Sequence, residues 1–371
     1  MNYVSLARHG DVAVVTVDNP PVNALSRAVR AGLMQAVDEA EADSTVRAIV
    51  LICAGRTFIA GADIREFERP PEEPHLPDVV ERIEASSKPV LAAMHGTALG
   101  GGLEIAMGCH YRLAAPEARV GLPEVKLGLL PGATGTQRLP RLVGAERALE
   151  LMLSGEPIGA ARALEAGLVD RVTSGESLLA EALAYAAELR EPRRVRDLPA
   201  PVADREVFAR ARQQLAKSAK GLFSPEKIVR AVELAGELDY DAGVLAEREL
   251  FNECKASPQS SGLRHAFFAE REAAKVPGLA KDTPTREMRR IAVLGAGTMG
   301  TGIAYACLSA GFPVRLLDND AAGLTRGEDA IRGLFEAGIA RGKLEAADMV
   351  EGLRRLKVTQ DYEHVADADL V

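Results

Sequence analysis

With 371 residues the chain is long enough, at roughly 100–200 residues per domain, for two or three domains. Its 47% hydrophobic and 26% charged residues exclude a disordered or fibrous chain. The net charge of −8 argues against a nucleic-acid or anionic-membrane surface, and no run is apolar and long enough to span a bilayer.

The amino-terminal MNYVSLARHGDVAVVTVDNP alternates like a strand and contains neither an apolar signal core nor an amphipathic transit stretch. Strands are predicted at Val12–Val17, Val46–Cys53 and Pro89–His95. Helices are predicted near Ser26–Ala42, with Ser26 as N-cap, and near Pro77–Ser86 and Gly101–Met107. Ser154–Val172 reads as a helix leading into a short strand. A Pro- and Arg-rich linker, EPRRVRDLPAPVA, covers 191–203. From Asp204 to Lys275 the pattern is helical throughout, with Pro225 and Pro258 at helix starts. A polar linker follows over 277–287.

At Arg290 the pattern changes to strand IAVLG, glycine turn and helix, strand VRLLD, a long helix to about Leu344, and a strand at LKVTQ. This is the opening of a doubly wound parallel sheet. The terminal ADADLV reads as a strand being entered, so this domain is expected to be incomplete. The predicted division is 1–190, mixed α/β; 191–287, helical; and 288–371, dinucleotide-binding. The four cysteines, Cys53, Cys109, Cys254 and Cys307, form no CxxC pair and read as free thiols.

Three stretches of the first domain share one chemical logic. In FIAGADI, 58–64, small residues let the backbone approach a ligand. In HGTALGGGLE, 95–104, three glycines run into a helix start, where unpaired N–H groups favour negative charge. Two such donors from separate loops suit a developing oxyanion. GLPE, 121–124, brings a second carboxylate. Glu104 is flanked by Gly102-Leu103 and Ile105-Ala106-Met107, an apolar setting that implies burial, and a buried carboxylate needs a role. His95 and His110 read as packed structural residues, and no metal-ligand spacing is present.

Together with PPVNAL, 20–25, and GLPEVKLGLLPGATGTQRLPRLVG, 121–144, these motifs resemble the crotonase, or enoyl-CoA hydratase, superfamily over essentially all of residues 2–190. The resemblance implies a spiral of ββα units and hydration of trans-2-enoyl-CoA. It implies an oxyanion hole from the N–H groups of Ala60 and Gly101. Glu104 would activate the water and Glu124 would protonate the α-carbon. It further implies coenzyme A contacts at Ala62, Asp63 and Ile64, although Asp63 reads equally as a helix cap.

The segment SGLRHAFFAEREAAKV, 261–276, resembles the linker helix of the fused multifunctional β-oxidation enzymes. That adds Phe268 and Lys275 to the coenzyme A contacts, against the alternative of a core phenylalanine and a solvated lysine. In the last domain, Gly295-x-Gly297-x-x-Gly300 opens a helix after a strand, and Asp318 ends the next strand. A carboxylate there suits a ribose diol and repels a 2′-phosphate, which favours NAD over NADP.

GAGTMGTGIA with LLDND resembles the 3-hydroxyacyl-CoA dehydrogenase family, whose catalytic His and Glu match no residue here. No oxidation by this chain is therefore expected; weak NAD binding is expected because only about three strands of the sheet are present, whereas an intact, longer version is expected to oxidise 3-hydroxyacyl-CoA with NAD. The expected partners are acyl-CoA substrates, with no nucleic acid or membrane, a monomeric state, and association with a thiolase as a further expectation. The expected compartment is the bacterial cytoplasm, with the peroxisome as alternative. The competing functional readings are a dedicated enoyl-CoA isomerase and a non-catalytic module that holds coenzyme A and NAD.

Overall fold

The protein is described from a computed structural model covering residues 3–175, 177–201, 204–273, 275–280, 282–285 and 287–371. It divides into two compact units, Met1–Lys275 and Val276–Val371.

In the first unit, β1 (Val4–His9) and β2 (Val12–Val17) lead through α1 (Arg27–Ala42) to β3 (Ala48–Cys53). A 3-10 turn, Ile64–Glu68, precedes α2 (Leu76–Glu84), β4 (Val90–Met94), β5 (Thr97–Leu99) and α3 (Gly101–Gly108). Next come β6 (Tyr111–Ala114), β7 (Arg119–Gly121) and a second 3-10 turn, Pro123–Leu127. The chain continues through α4 (Gly135–Val143), α5 (Ala145–Ser154), β8 (Ile158–Gly159), α6 (Ala160–Glu165), β9 (Arg171–Val172) and α7 (Leu178–Glu188). The unit ends with α8 (Arg205–Ser218), α9 (Ser224–Glu237), α10 (Tyr240–Ala256) and α11 (Pro258–Ala273).

Six strands form a sheet in the order β1-β2-β3-β4-β6-β9, antiparallel at β1–β2 and parallel elsewhere. Alternation along β2 explains its two covered faces. Val12 and Val14 join Ala182, Tyr185 and Ala186 of α7, whereas Ala13, Val15 and Val17 join the main core with Val29 and Leu33 of α1. A second, smaller sheet pairs β5 parallel with β7, and β7 antiparallel with β8. The β5–β7 pairing is what later brings the two glutamates together.

Two local expectations are modified. Ser26 precedes α1 in extended conformation, but its side chain makes no capping bond; the Glu66 carboxylate accepts from the Arg27 N–H at 2.9 Å instead. The helix-then-strand reading of 154–172 resolves into the end of α5, then β8, α6 and β9.

A buried ion pair fastens the late helices to this frame. Arg138 on α4 is fully buried and donates to Glu84 at the end of α2, 2% exposed, at 2.5 Å. Glu84 also accepts from the Arg196 N–H at 3.1 Å, and Arg138 reaches the hydroxyls of Thr134 and Tyr240. His110 is buried beside them. Its Nδ1 accepts from the Val90 N–H at 2.9 Å, so its other ring nitrogen donates to the Glu84 carbonyl. Burial holds its pKa down to about 4, which keeps the ring neutral.

The second unit contains β10 (Ile291–Leu294), α12 (Thr298–Ser309), β11 (Val314–Leu317), α13 (Ala321–Ala340), α14 (Ala346–Arg355) and β12 (Leu356–Thr359). The strands are parallel in the order β10-β11-β12, and Leu370 bridges to Ile291 on the free side of β10. The long helix read from sequence to about Leu344 is α13, and a further helix, α14, not read from sequence, precedes β12. α14 starts on a capping box between Glu345 and Asp348.

Glu84→Ala should destabilise the first unit by about 3–5 kcal/mol, because Arg138 would be left buried without its counter-charge. A denaturant titration in which the variant matches the parent would remove this pair from the structural frame.

Candidate active site

The glycine run places α3 with no room to spare. Gly100, at φ 52°, turns the chain out of β5, and a Cβ there would lie 2.9 Å from Glu124 Oε1. A Cβ on Gly102 would lie 2.1 Å from the Ile59 carbonyl oxygen, so α3 packs directly on the FIAGADI backbone. All eight residues of α3 are buried, and Glu104 is 2% exposed.

A buried carboxylate is costly unless donors replace its water. Glu104 Oε1 accepts the N–H groups of Ala133 at 2.7 Å and Gly135 at 2.9 Å, while Oε2 takes no protein donor among the described residues. Burial raises its pKa to about 7, against the lowering effect of those two N–H groups and of the Arg248 and Arg138 charges.

Glu124 stands on the second 3-10 turn. The β5–β7 pairing delivers it, because Leu99 pairs with Gly121 and the Gly100 N–H donates to the Gly121 carbonyl at 2.9 Å. Its Oε2 is shut off from solvent and has no hydrogen-bond partner among the described residues. Burial, then the neighbouring Glu104 charge, push its pKa well above the usual carboxylate range. The pair is therefore asymmetric. Glu104 is held by donors suited to its anion, and Glu124 keeps an orphan oxygen suited to a proton.

The expected oxyanion donors are corrected in part. The Ala60 N–H is committed to the Val22 carbonyl at 3.1 Å and cannot serve a ligand. The Ala62 N–H has no such bond among the described residues, and its nitrogen would lie 3.4 Å from a Cβ on Gly101. Gly101 opens α3, where the first N–H groups have no intrahelical acceptor. Gly101 and Ala62, not Ala60, thus form the adjacent donor pair.

Among the other predicted contacts, Ile64 begins the first 3-10 turn and Asp63 caps it, accepting from the Arg65 N–H and pairing with the Arg65 guanidinium at 2.8 Å. Phe268 packs edge-on against Phe267, and Arg271 covers Phe267. Lys275 is exposed and pairs with Glu272 at 2.7 Å. Helix α11 reaches the Glu124 turn through Ser260, whose hydroxyl donates to the Leu127 carbonyl at 2.9 Å.

Sequence reasoning missed the contribution of α10. Glu247, 1% exposed, faces the same turn as Glu104. Arg248 donates to the Gly132 carbonyl at 2.9 Å, and Lys255 stands over the Phe67 ring. Burial, then the charges of Arg264 and Arg248, lower the Lys255 pKa. The available signal was the spacing of Tyr240, Gly243, Glu247 and Cys254, which puts a glutamate on the buried stripe of α10.

In the second unit a Cβ on Gly300 would lie 1.8 Å from the Gly295 oxygen, which requires glycine where α12 meets the turn. Gly295 has φ 102°, and a Cβ on Gly297 would meet nothing within 4 Å, leaving the turn open to a ligand. Asp318 closes the turn from β11, its carboxylate accepting from the Ala296 N–H at 2.7 Å and the Asp320 N–H at 3.0 Å.

Residues 7–224 match the family described as enoyl-CoA hydratase/isomerase. The chain belongs to that family. Residues 290–371 match the NAD-binding domain of 3-hydroxyacyl-CoA dehydrogenase. The peroxisomal bifunctional enzyme of Cavia porcellus is 38% identical over 374 residues, covering 97% of this chain and 51% of that protein. The peroxisomal bifunctional enzyme of Danio rerio is 40% identical over 369 residues, with coverage of 97% and 51%. The chain thus spans about half the length of the curated relatives it matches. A solved carnitinyl-CoA hydratase from Mycobacterium avium is 28% identical with a TM-score of 0.56, covering 73% of this chain and 97% of that one. The hydratase/isomerase match stops before α10, so Glu247 lies outside it.

The raised carboxyl pKa values carry a stability consequence. A carboxyl whose folded pKa lies above its unfolded value binds its proton more readily when folded, so its contribution is present at low pH and lost as pH rises. Glu124→Gln removes that loss. Its thermal stability relative to the parent should improve progressively as pH rises above the ordinary glutamate range near 4.5. Parallel melting curves for the two proteins across that rise would contradict the raised pKa of Glu124.

Proposed function

We propose that the first unit adds water across the double bond of trans-2-enoyl-CoA thioesters, giving 3-hydroxyacyl-CoA. The observation carrying this reading is the asymmetry between buried Glu104, held by two N–H groups, and half-buried Glu124, whose Oε2 is shut off from solvent without a partner among the described residues, beside a pair of backbone donors. Glu104, ionised, takes a proton from water as the water oxygen bonds to C3. The C2–C3 π electrons move toward the thioester, whose oxygen takes the N–H groups of Ala62 and Gly101. The Glu124 carboxyl then gives its proton to C2. Atoms balance as one water consumed, and the site resets by returning the proton from Glu104 to Glu124.

The carrier is an anionic nucleotide, and Arg248, Lys255 and Arg264 supply positive charge on the helices beside the site. A shift of a double bond from position 3 to position 2 is a secondary reading, supported by the orphan oxygen of Glu124, which suits moving a proton between two carbons.

For the second unit we propose NAD as ligand. The Gly295–Gly300 turn and the start of α12 would hold the pyrophosphate, and Asp318 the ribose diol. NAD, when bound, would supply a hydride acceptor, but no residue of this chain matches the family's catalytic His and Glu, so no oxidation by this chain is proposed.

Loss of enoyl-thioester absorbance with crotonyl-CoA tests the hydratase reading. Glu104→Gln and Glu124→Gln should each lower kcat by a factor of about 100 or more. Near-parental turnover in either variant would dismiss that residue from the chemistry. In the parent, kcat/KM should fall as pH is lowered through about 7, where Glu104 takes up its proton.

A further inference from the structure

The turn that leads into α4, with the first two residues of that helix, carries four consecutive backbone N–H groups, Ala133 to Thr136, and they alternate between two carboxylates. Ala133 and Gly135 donate to Glu104 Oε1 at 2.7 and 2.9 Å. Thr134 donates to Glu247 Oε1 at 2.7 Å and Thr136 to Glu247 Oε2 at 3.0 Å. The Thr136 hydroxyl gives the Glu247 carboxylate its third bond, donating to Oε2 at 2.5 Å, and itself accepts from the Gln137 amide at 3.0 Å. The alternation requires Thr134 to adopt φ 75°, a left-handed conformation unfavourable for a branched side chain. A strained backbone of this kind persists only where its surroundings over-determine it. The three bonds to Glu247 are such a constraint, together with the contact of Arg138 with the Thr134 hydroxyl.

We propose that Glu247 is a positioning residue for the hydration reaction: by clasping Thr134 and Thr136 it holds the turn in the one geometry that aims the Ala133 and Gly135 N–H groups at Glu104. The inference rests on the hydratase reading of Glu104, but the clasp is a physical arrangement that can be examined without turnover. Glu247 does not contact Glu104 by a hydrogen bond and acts on it through the turn. It approaches from α10, and Gly243 one turn earlier lets α10 close on α4, since a Cβ there would lie 2.3 Å from the Gln137 amide oxygen. The charged groups facing this arrangement are Arg248 on α10, Arg138 on α4 and Glu124 on the second 3-10 turn. A loose turn would leave Glu104 free to rotate away from the water it must orient. Misplacement of a reacting group by about 1 Å can cost a factor of about 100.

Glu247→Gln keeps the size but turns an amide NH2 toward a backbone donor, breaking part of the clasp. Thr136→Val removes only the hydroxyl bond and serves if the first variant fails to fold. In amide NMR spectra of the whole chain, the Ala133 and Gly135 N–H resonances should move upfield in either variant, although neither group touches Glu247. With crotonyl-CoA, kcat should fall about 10- to 100-fold for Glu247→Gln with KM within about threefold. Unmoved Ala133 and Gly135 amides in a folded variant would overturn the proposal, as would a KM that rises as far as kcat falls. If the parent chain itself left crotonyl-CoA unchanged, the hydratase reading would fail, and the amide resonances would still decide the clasp.

Discussion

Two carboxylates with only 1–2% of their surface exposed meet at one short turn, and its backbone N–H groups make their burial tolerable. An unpaired buried carboxylate would cost several kcal/mol. The residues Ala133–Thr136 offset that cost for Glu104 on α3 and Glu247 on α10 together. A helix from the middle of the unit and one from its end are thereby tied to the same four peptide groups. This explains why α10 is part of the first unit's interior and not a spacer. Its buried stripe of Tyr240, Gly243, Glu247 and Cys254 faces inward, with the glutamate at its centre.

The Arg138–Glu84 pair extends the same frame. Arg138 sits one helical turn beyond Thr134, so the ion pair, the Tyr240 hydroxyl and the turn are linked through one guanidinium. Arg196 closes it from the segment following α7. Glu84, Glu104 and Glu247 are each held by partners from elements far apart in sequence. Glu124 differs in keeping a buried oxygen without a partner among the described residues. Its unsatisfied oxygen is left to the proton it must carry and to the ligand that removes it.

The second unit follows a different economy. Its glycine turn is shaped by backbone alone, with Gly300 fitting against the Gly295 oxygen and Gly297 facing open space. Asp318 joins that turn through the Ala296 N–H, so the residue that would meet a ribose also braces the loop that would meet a pyrophosphate. The same contact, with the Asp320 N–H, keeps its carboxyl below the usual range and therefore ionised.

Much of this was legible in sequence because it is local. Glycine spacing placed α3 and α12, alternation marked Val12–Val17 as a strand, and apolar neighbours marked Glu104 as buried. Glu124 was recognisable from its motif. Its distance from Glu104 was not, because that depends on the β5–β7 pairing. Ala60 was misread for the same kind of reason. Whether a backbone N–H is free depends on its acceptor, and the acceptor here is Val22, reached only when the FIAGADI loop folds beside the PPVNAL segment. Ser26 likewise looked like a cap, but Glu66 took the bond. Glu247 lies in a stretch with no motif, and helical periodicity could place it on an inward face without saying what it would meet. The sequence by itself determined which residues turn, which are buried and which chemistry the chain can support, because those follow from neighbours a few residues away. The tertiary structure alone decided which N–H groups are free, which carboxylates share a turn and which oxygen stays unpaired, because hydrogen-bond partners are allotted only when distant segments meet.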